Sequence, residues 1–355
     1  MGRYGYPKVK IGPMISPLHG DTSILDKPEL WTGRSLEEIA NYRLSLVRGT
    51  FALKVDETSG KNIEGLQELA MSELPAESEA TFEKTLFADN ELNRELMLNT
   101  DTAPFGPAAP LKTFKSSSLT ADQRIESVFY DTDLRASDAI MELYHRGVDV
   151  SSIHKVLSVG MLGQKRKRKL VPTRWSISAT DHTISSKLVE ANRTSPVIDH
   201  FEVTHYSHLA NYYSIILIPD NVWSFEMIES WFTNSGQMAT GADFEDTTGL
   251  DHYPTIAGAY FAARLAVAEH LSKRRRMATA LVLREIHPEY VMPLGVWQIR
   301  EGVREALKKP ASQFETLDGA LSFACADLSV SKQEVVQKSK LWLALKSQTR
   351  ITDFA

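Results

Sequence analysis

A helix-rich mixed α/β (α+β) fold with a central antiparallel hairpin or small sheet is what this sequence predicts, on three observations. Helical spacing with capping signals recurs from residue 35 to 160 and again from 258 to 345. Between them, over 198–218, the apolar period falls to two, the period of a strand. No repeat of roughly 20–50 residues runs along the chain, which argues against a solenoid.

Taken in order, residues 1–28 hold Gly2, Gly5, Pro7, Gly12, Pro13 and Pro17 and show no amphipathic period, so an irregular, extended lead-in is expected. Ser35-Leu36-Glu37-Glu38 is a capping box ahead of Ile39, Tyr42 and Leu46, with Gly49 as the expected helix stop. Phe51–Val55 alternates like a strand. The stretch Leu66–Leu98 has helical spacing broken at Pro75, and Asp101–Ser118, rich in proline and ending in a serine triplet, reads as a loop or linker. Thr120 and Gln123 are expected to cap a helix over Ile125–Phe129, and Asp133 the next, which ends at Gly147. Ser151–Val159 then forms a short helix closed by Gly160.

Ile198–Tyr206 and Tyr212–Ile218 are strands joined as an antiparallel hairpin across Ser207–Asn211. Trp223–Phe232 returns to helical spacing, and Ser235–Thr255 reads as a long loop. Gly258–Leu271 and Ala278–Ile286 are helices or buried strands. Val296–Leu307 is an amphipathic helix with Arg300, Glu301, Arg304 and Glu305 on the wet side. Leu317–Leu328 and Lys332–Leu345 are the last helices, the second opened by the capping box at Ser331 and Glu334. The expected organisation is a first domain over 1–235 carrying an acidic insertion at 56–101, a helical domain over 236–345 and a tail at 346–355.

Composition narrows the function classes. The chain has 355 residues, 43% hydrophobic and 24% charged, which is globular composition. Cys325 is its single cysteine, so neither an intrachain disulfide nor a thiolate-rich metal site is available. No apolar run approaches the ~20 residues of a membrane helix. A cytoplasmic, nucleoid-associated protein without a membrane partner is expected. The formal net charge of −5 is unevenly spread: residues 56–101 carry −9, leaving +4 elsewhere. The positive charge is bunched in Lys165-Arg166-Lys167-Arg168-Lys169 and Lys273-Arg274-Arg275-Arg276.

Three constellations bear on chemistry. First, the chain ends Gln348-Thr349-Arg350-Ile351-Thr352-Asp353-Phe354-Ala355, with glutamine, aliphatic and aromatic residues at the first, fourth and seventh positions. This spacing matches the PCNA-interacting peptide of sliding-clamp partners. In a 3₁₀ turn residues three apart eclipse, so Ile351 and Phe354 project together as an apolar plug while Gln348 hydrogen-bonds beside it. The eighth position, usually a second aromatic, is Ala355. Second, the Lys165–Lys169 run continues into Arg174 and Trp175, which supplies phosphate contacts and a ring for a base to stack on. Lys273–Arg276 follows a helical stripe and reads as a helix C-terminus. Third, Asp131 and Asp133, Asp181 and His182, the histidines 200, 205 and 208, and the group Asp243, Glu245, Asp246, Asp251 and His252 are carboxylate and imidazole clusters without any established ligand spacing. Their ordinary reading is caps, turns and surface pairs. Arg174, Asp181, Asp243 and His252 are the candidates if the chain is an enzyme.

Strings spread over nearly the whole chain resemble the archaeal Nre family of DNA repair proteins. They are Arg3–Pro13 (RYGYPKVKIGP), Asp21–Ser23, Ser35–Ile39 with Ser45–Gly49, Lys169–Ile177 (KLVPTRWSI), Gly258–Val267 (GAYFAARLAV) and Gly295–Glu301. The acidic segment 56–101 has no counterpart in the resemblance. It implies a PCNA-interacting repair factor built from an N-terminal and a C-terminal Nre domain, with the clamp motif at Gln348, Ile351 and Phe354. Family members commonly carry a cysteine-rich, zinc-binding segment ahead of the string that here begins at Arg3, and this sequence is expected to lack it. The resemblance carries over no catalytic residue. Two functions are therefore expected: a clamp-recruited repair protein that touches DNA through Lys165–Lys169, Arg174 and Trp175, or a DNA-processing nuclease or glycosylase. No cofactor is evident for the first; the second is compatible with a divalent metal.

Overall fold

The computed structural model describes residues 5–73, 76–83, 106–117, 119–233, 235–250 and 252–347. They form a helix-rich mixed α/β protein with eleven α-helices and two mixed sheets among the described residues. The chain divides into two compact units: residues 1–184 with 292–295, and residues 185–291 with 296–355.

The N-terminal unit holds a five-stranded sheet built from β1 (Lys8–Ile11), β2 (Met14–Ile15), β3 (Val47–Lys54), β4 (Glu77–Phe82) and β5 (Ala108–Ser117), in the order β1-β3-β5-β4 with β2 also on β3. In β1 the apolar residues Val9 and Ile11 point inward and Lys8 and Lys10 face water, the alternation of a strand with one buried face. Val9 and Ile11 join Val55, Ile63, Leu66 and Leu170 in one core cluster. Helix α1 (Leu36–Leu44) opens on the capping box at Ser35 and Glu38. It stops at Ser45, and Gly49 lies inside β3, where the Leu111 side chain leaves no room for a Cβ.

Four further expectations for this unit are corrected. Helical spacing from Leu66 to Leu98 gives only α2 (Lys61–Met71); Glu77–Phe82 alternates as β4, and 84–105 lies outside the described residues. The loop expected over 101–118 contains β5, with Pro110 beside Thr50 in the short parallel stretch and Ala80–Phe82 territory continuing the ladder. Helix α3 (Gln123–Tyr130) is capped by Asp122, whose carboxylate accepts from the Arg124 amide at 2.9 Å, rather than by Thr120. Helix α4 (Ala136–His145) has no side-chain cap, and the carboxylate of Asp131 instead accepts from the amides of Asp133 and Leu134. Helix α5 (Val150–Ser158) follows as expected and packs on α4.

Helix α6 (Thr173–Asn192) begins after Pro172, whose carbonyl accepts from the Trp175 and Ser176 amides at 2.8 and 2.9 Å. Its buried face includes Ser176, Thr180, Asp181, Ser185 and Asn192 beside Ile184, Leu188 and Val189. With so polar a buried face no apolar stripe marks the helix in the sequence.

The C-terminal unit is built on a six-stranded sheet: β6 (Phe201–His208), β7 (Asn211–Ile218), β8 (Phe225–Phe232), β9 (Met238–Glu245), β10 (Thr279–Ile286) and β11 (Ser312–Phe314), in the order β11-β6-β7-β10-β8-β9. Only the β8–β10 pair is parallel. The expected hairpin is β6–β7, turned by Leu209 and Ala210, both with positive φ as a two-residue type I′ connection needs. The sheet takes β6–β8 from before residue 235 and β9–β11 from after it.

Trp223–Phe232 is strand β8 rather than a helix: six of its eight residues are buried, and a strand covered on both faces loses its alternation. The loop expected over 235–255 contains β9, an edge strand of small and polar residues. Helices α7 (Gly258–Arg274) and α8 (Trp297–Lys308) pack together. Arg300 is not on a wet side as expected but is 1% exposed, and Glu301 is buried too. On the sheet face that carries Ile216, Ile228, Leu281 and Leu283, α9 (Leu317–Ala324), α10 (Lys332–Lys338) and α11 (Lys340–Ser347) bury Leu321, Val335, Leu341 and Trp342. The single last helix expected from Lys332 is split at Ser339, whose hydroxyl donates to the buried Glu226 carboxylate.

Candidate nucleic-acid interface

The basic run occupies the approach to α6. Lys165–Lys167 form one 3₁₀ turn, and Lys165, Arg166, Lys167 and Lys169 are exposed, their side chains with no hydrogen-bond or ion-pair partner among the described residues. Arg168 is different. Its guanidinium donates to the carbonyls of Gly163, Phe129 and Asp131 at 2.8, 2.7 and 3.1 Å and lies 5.0 Å over the Phe129 ring. Burial lowers its pKa from the ordinary arginine value. Arg168 holds the end of α3, and the four other cations face solvent.

Backbone pairing brings further cations to this place. The Leu170 amide donates to the Val55 carbonyl at 2.7 Å, and the Val55 amide donates to the Pro7 carbonyl at 2.9 Å. Lys169 is thereby set beside the end of β3, where Lys54 pairs directly with Lys8 of β1. Two lysines opposite one another on the exposed face of an antiparallel pair repel. Tyr6, two residues before Lys8, lies 5.4 Å from Trp175 between ring centroids, at an interplanar angle of 55°. Trp175 is 42% exposed and Tyr6 51%. Arg174, next to Trp175 in the first turn of α6, is exposed. The sequence reading named Arg174, Trp175 and the run but missed Tyr6, Lys8 and Lys54. The alternation Lys8-Val9-Lys10-Ile11 and the strand ending near Lys54 were the available signals, but only strand register shows that Lys8 and Lys54 meet.

The remaining candidates have structural employment. Asp181 is fully buried on α6, with one carboxylate oxygen 3.3 Å from His154 Nε2 of α5. It lies seven residues beyond Arg174, about 10 Å along a helix axis. In the C-terminal unit, Asp243 accepts from the Thr255 hydroxyl at 2.9 Å and the Ile256 amide at 2.8 Å, holding the approach to α7; His252 Nε2 is 3.7 Å from its other oxygen. Glu245 accepts from Trp223 Nε1 at 2.5 Å and Arg264 Nε at 2.6 Å, and Asp246 closes a turn onto Thr248. Asp251 lies outside the described residues. Among the described residues no three His, Cys, Asp or Glu side chains gather as a metal ion requires. His205 stacks edge-on against Phe323, its pKa lowered by burial. The second basic run is the C-terminus of α7: Arg274 donates to both oxygens of Glu202 at 2.5 and 2.8 Å, and Arg275 takes the left-handed cap conformation. Beside that pair, His270, Thr204, Lys309 and Gln313 line a hollow of ≈ 260 Å³.

The clamp-motif residues Gln348, Ile351 and Phe354 lie outside the described residues. No described helix is long and apolar enough to cross a membrane.

Comparison with known proteins matches both parts of the chain. The family model for the N-terminal region of archaeal Nre covers residues 1–236, and that for the C-terminal region covers residues 245–354. The DNA repair protein NreB of Archaeoglobus fulgidus is 38% identical over 351 residues, 96% of this chain and 86% of that relative. NreA of the same organism, also a DNA repair protein by name, is 34% identical over all of this chain and 87% of its own length. NreA of Haloferax volcanii is 33% identical over all of this chain and 86% of its own. No solved structure matches. With both family models matched and full-length relatives at one-third identity or more, the chain belongs to the archaeal Nre family.

Proposed function

We propose that this chain is a DNA repair protein that touches DNA through the cationic surface of its N-terminal unit and is recruited by the sliding clamp PCNA through Gln348, Ile351 and Phe354. One observation carries the DNA contact: Lys165, Arg166, Lys167 and Lys169 stand exposed without a carboxylate partner among the described residues, in a chain whose net charge is negative. Cations held in water without a partner are available to phosphate, and each phosphate neutralised releases counterions. Recruitment by a tail peptide acts through effective concentration, so a modest clamp affinity suffices to raise occupancy on DNA. The repair role is supported by what the relatives are named.

Replacing the four lysine and arginine residues at 165, 166, 167 and 169 by alanine tests the DNA contact. Titration of a labelled oligonucleotide at several salt concentrations should show a logarithmic salt slope shallower by about 3. An unchanged slope defeats the reading. Removal of residues 348–355 should abolish capture by immobilised clamp and leave oligonucleotide binding intact. Capture that survives the truncation defeats the recruitment.

A further inference from the structure

We infer that the Tyr6–Trp175 face is a stacking platform for unpaired bases, so that the DNA this surface takes is single-stranded rather than paired. The inference rests on the DNA-contact reading above and names the class of DNA. In a duplex both faces of every base are covered by neighbouring base pairs, and a protein meets only phosphates and groove edges. An aromatic face exposed among cations has nothing to stack on there, whereas a single strand offers a π-face at each nucleotide.

The N-terminal unit supplies this combination from three segments that are distant in the chain. Tyr6 and Trp175 stand at 5.4 Å and 55°, and each keeps about half of its surface in water. Arg174 adjoins one ring and Lys8 follows two residues after the other. Lys8 faces Lys54 across the β1–β3 ladder, and Lys169 is fastened beside Lys54 through the Leu170–Val55 bond. The rings are thus bordered by positive charge on the strand side and on the helix side. Cross-strand lysines that cost stability when alone are relieved by an anion lying between or beside them. A sugar–phosphate chain running past Lys54, Lys8 and Arg174 carries its bases within reach of the two rings.

Fluorescence anisotropy with the full chain decides the matter, using oligothymidylate and oligouridylate of about 20 nucleotides and a duplex of equal length, at one fixed salt concentration. Oligothymidylate should bind at least tenfold more tightly than duplex. Trp175→Ala should weaken oligothymidylate about tenfold and duplex less than twofold, Tyr6→Ala should weaken it less, and Trp175→Phe should restore most of the loss. Both rings are half exposed, so the urea midpoint of each variant serves as the check that the fold is kept. Equal or tighter binding to duplex, equal losses on both DNA forms, or tighter binding to oligouridylate than to oligothymidylate overturns the inference. In the first two outcomes the DNA-contact reading stands. If the parent chain binds none of the three, that reading falls first and takes this one with it.

Discussion

In the C-terminal unit Arg264, Arg274, Arg284 and Arg304 each meet a glutamate: Glu245, Glu202, Glu229 and Glu269. In the N-terminal unit Lys165, Arg166, Lys167, Lys169 and Arg174 meet none among the described residues. The same charge type is therefore interior cement at Arg264 and Arg284 and open surface at these five positions. Arg284 is the extreme case. It pairs with Glu229 and donates to Asn211 Oδ1 at 2.9 and 2.7 Å in a buried network that also reaches Gln298 and Tyr213. Burial opposes its charge, but the neighbouring Glu229 carboxylate prevails and raises its pKa above the ordinary arginine value. A buried carboxylate on the opposite face of the same sheet shows what such partners decide. Burial works against Glu285 too, yet the Ser329 and Val330 amides hold its pKa below the usual range. The Glu226 pKa is raised because burial outweighs its bonds to Ser339, Lys340 and Leu341. A basic residue in this protein tells nothing about DNA until its partners are known: Arg168 in one run and Arg274 in the other are both committed to the fold.

The largest effect should come from breaking an interior pair. Arg284→Met strands Glu229 in the sheet and should cost about 3–5 kcal/mol, read as a fall in urea midpoint, and adding Glu229→Leu should recover part of it. A loss below about 1 kcal/mol would mean that Arg284 is no more interior than the surface cations. Next comes Arg168, which sits within the surface run but is bonded like an interior arginine. Arg168→Ala should cost about 1–3 kcal/mol of stability through its three lost carbonyl bonds. The four-alanine variant of its neighbours should stay within about 0.5 kcal/mol of the parent while losing DNA affinity. The reverse pattern would erase the distinction between the two kinds of cation.

The smallest effect concerns pH. Burial, and then the positive charges of Arg274 and Lys273 set against Glu202, push His270 down to about 4. The unfolded chain then binds the extra proton first, so stability is complete above the ordinary histidine value and falls as pH drops from about 6.5 toward 4. His270 is partly exposed, and the loss should be on the order of 1–2 kcal/mol. Urea midpoints measured across that window should flatten in His270→Gln; a parallel curve would show that His270 is not the group responsible.

What the sequence disclosed follows the range of the interactions involved. Both capping boxes, at Ser35 and Ser331, and the β6–β7 hairpin were legible because their determinants lie within a few residues of one another. Strand β8 was hidden because its two faces are both buried, and α6 because its buried face is largely serine, threonine and aspartate. The candidate interface was half legible. Arg174, Trp175 and the run are contiguous in the chain, whereas Tyr6, Lys8 and Lys54 reach them only through the register of β1 on β3 and the Leu170–Val55 bond. Nothing local to Asp181 distinguishes a buried partner of His154 from an exposed acid, so the enzyme candidates could be weighed only in the fold.

Gly12 and Gly49 face each other where the chain turns from β1 toward β2. A Cβ on Gly12 would stand 1.9 Å from the Gly49 carbonyl oxygen, and one on Gly49 would stand 2.2 Å from Leu111 Cδ1. Neither glycine carries charge or a ring, yet their contact fixes how β1 lies on β3 and thereby the spacing of Lys8, Lys54 and Tyr6. An alanine at position 12 would shift β1 while leaving every side chain of the cationic surface chemically intact. Damage to DNA binding can therefore arise at a position that no nucleic acid touches, and a variant survey confined to lysines and arginines would pass over it.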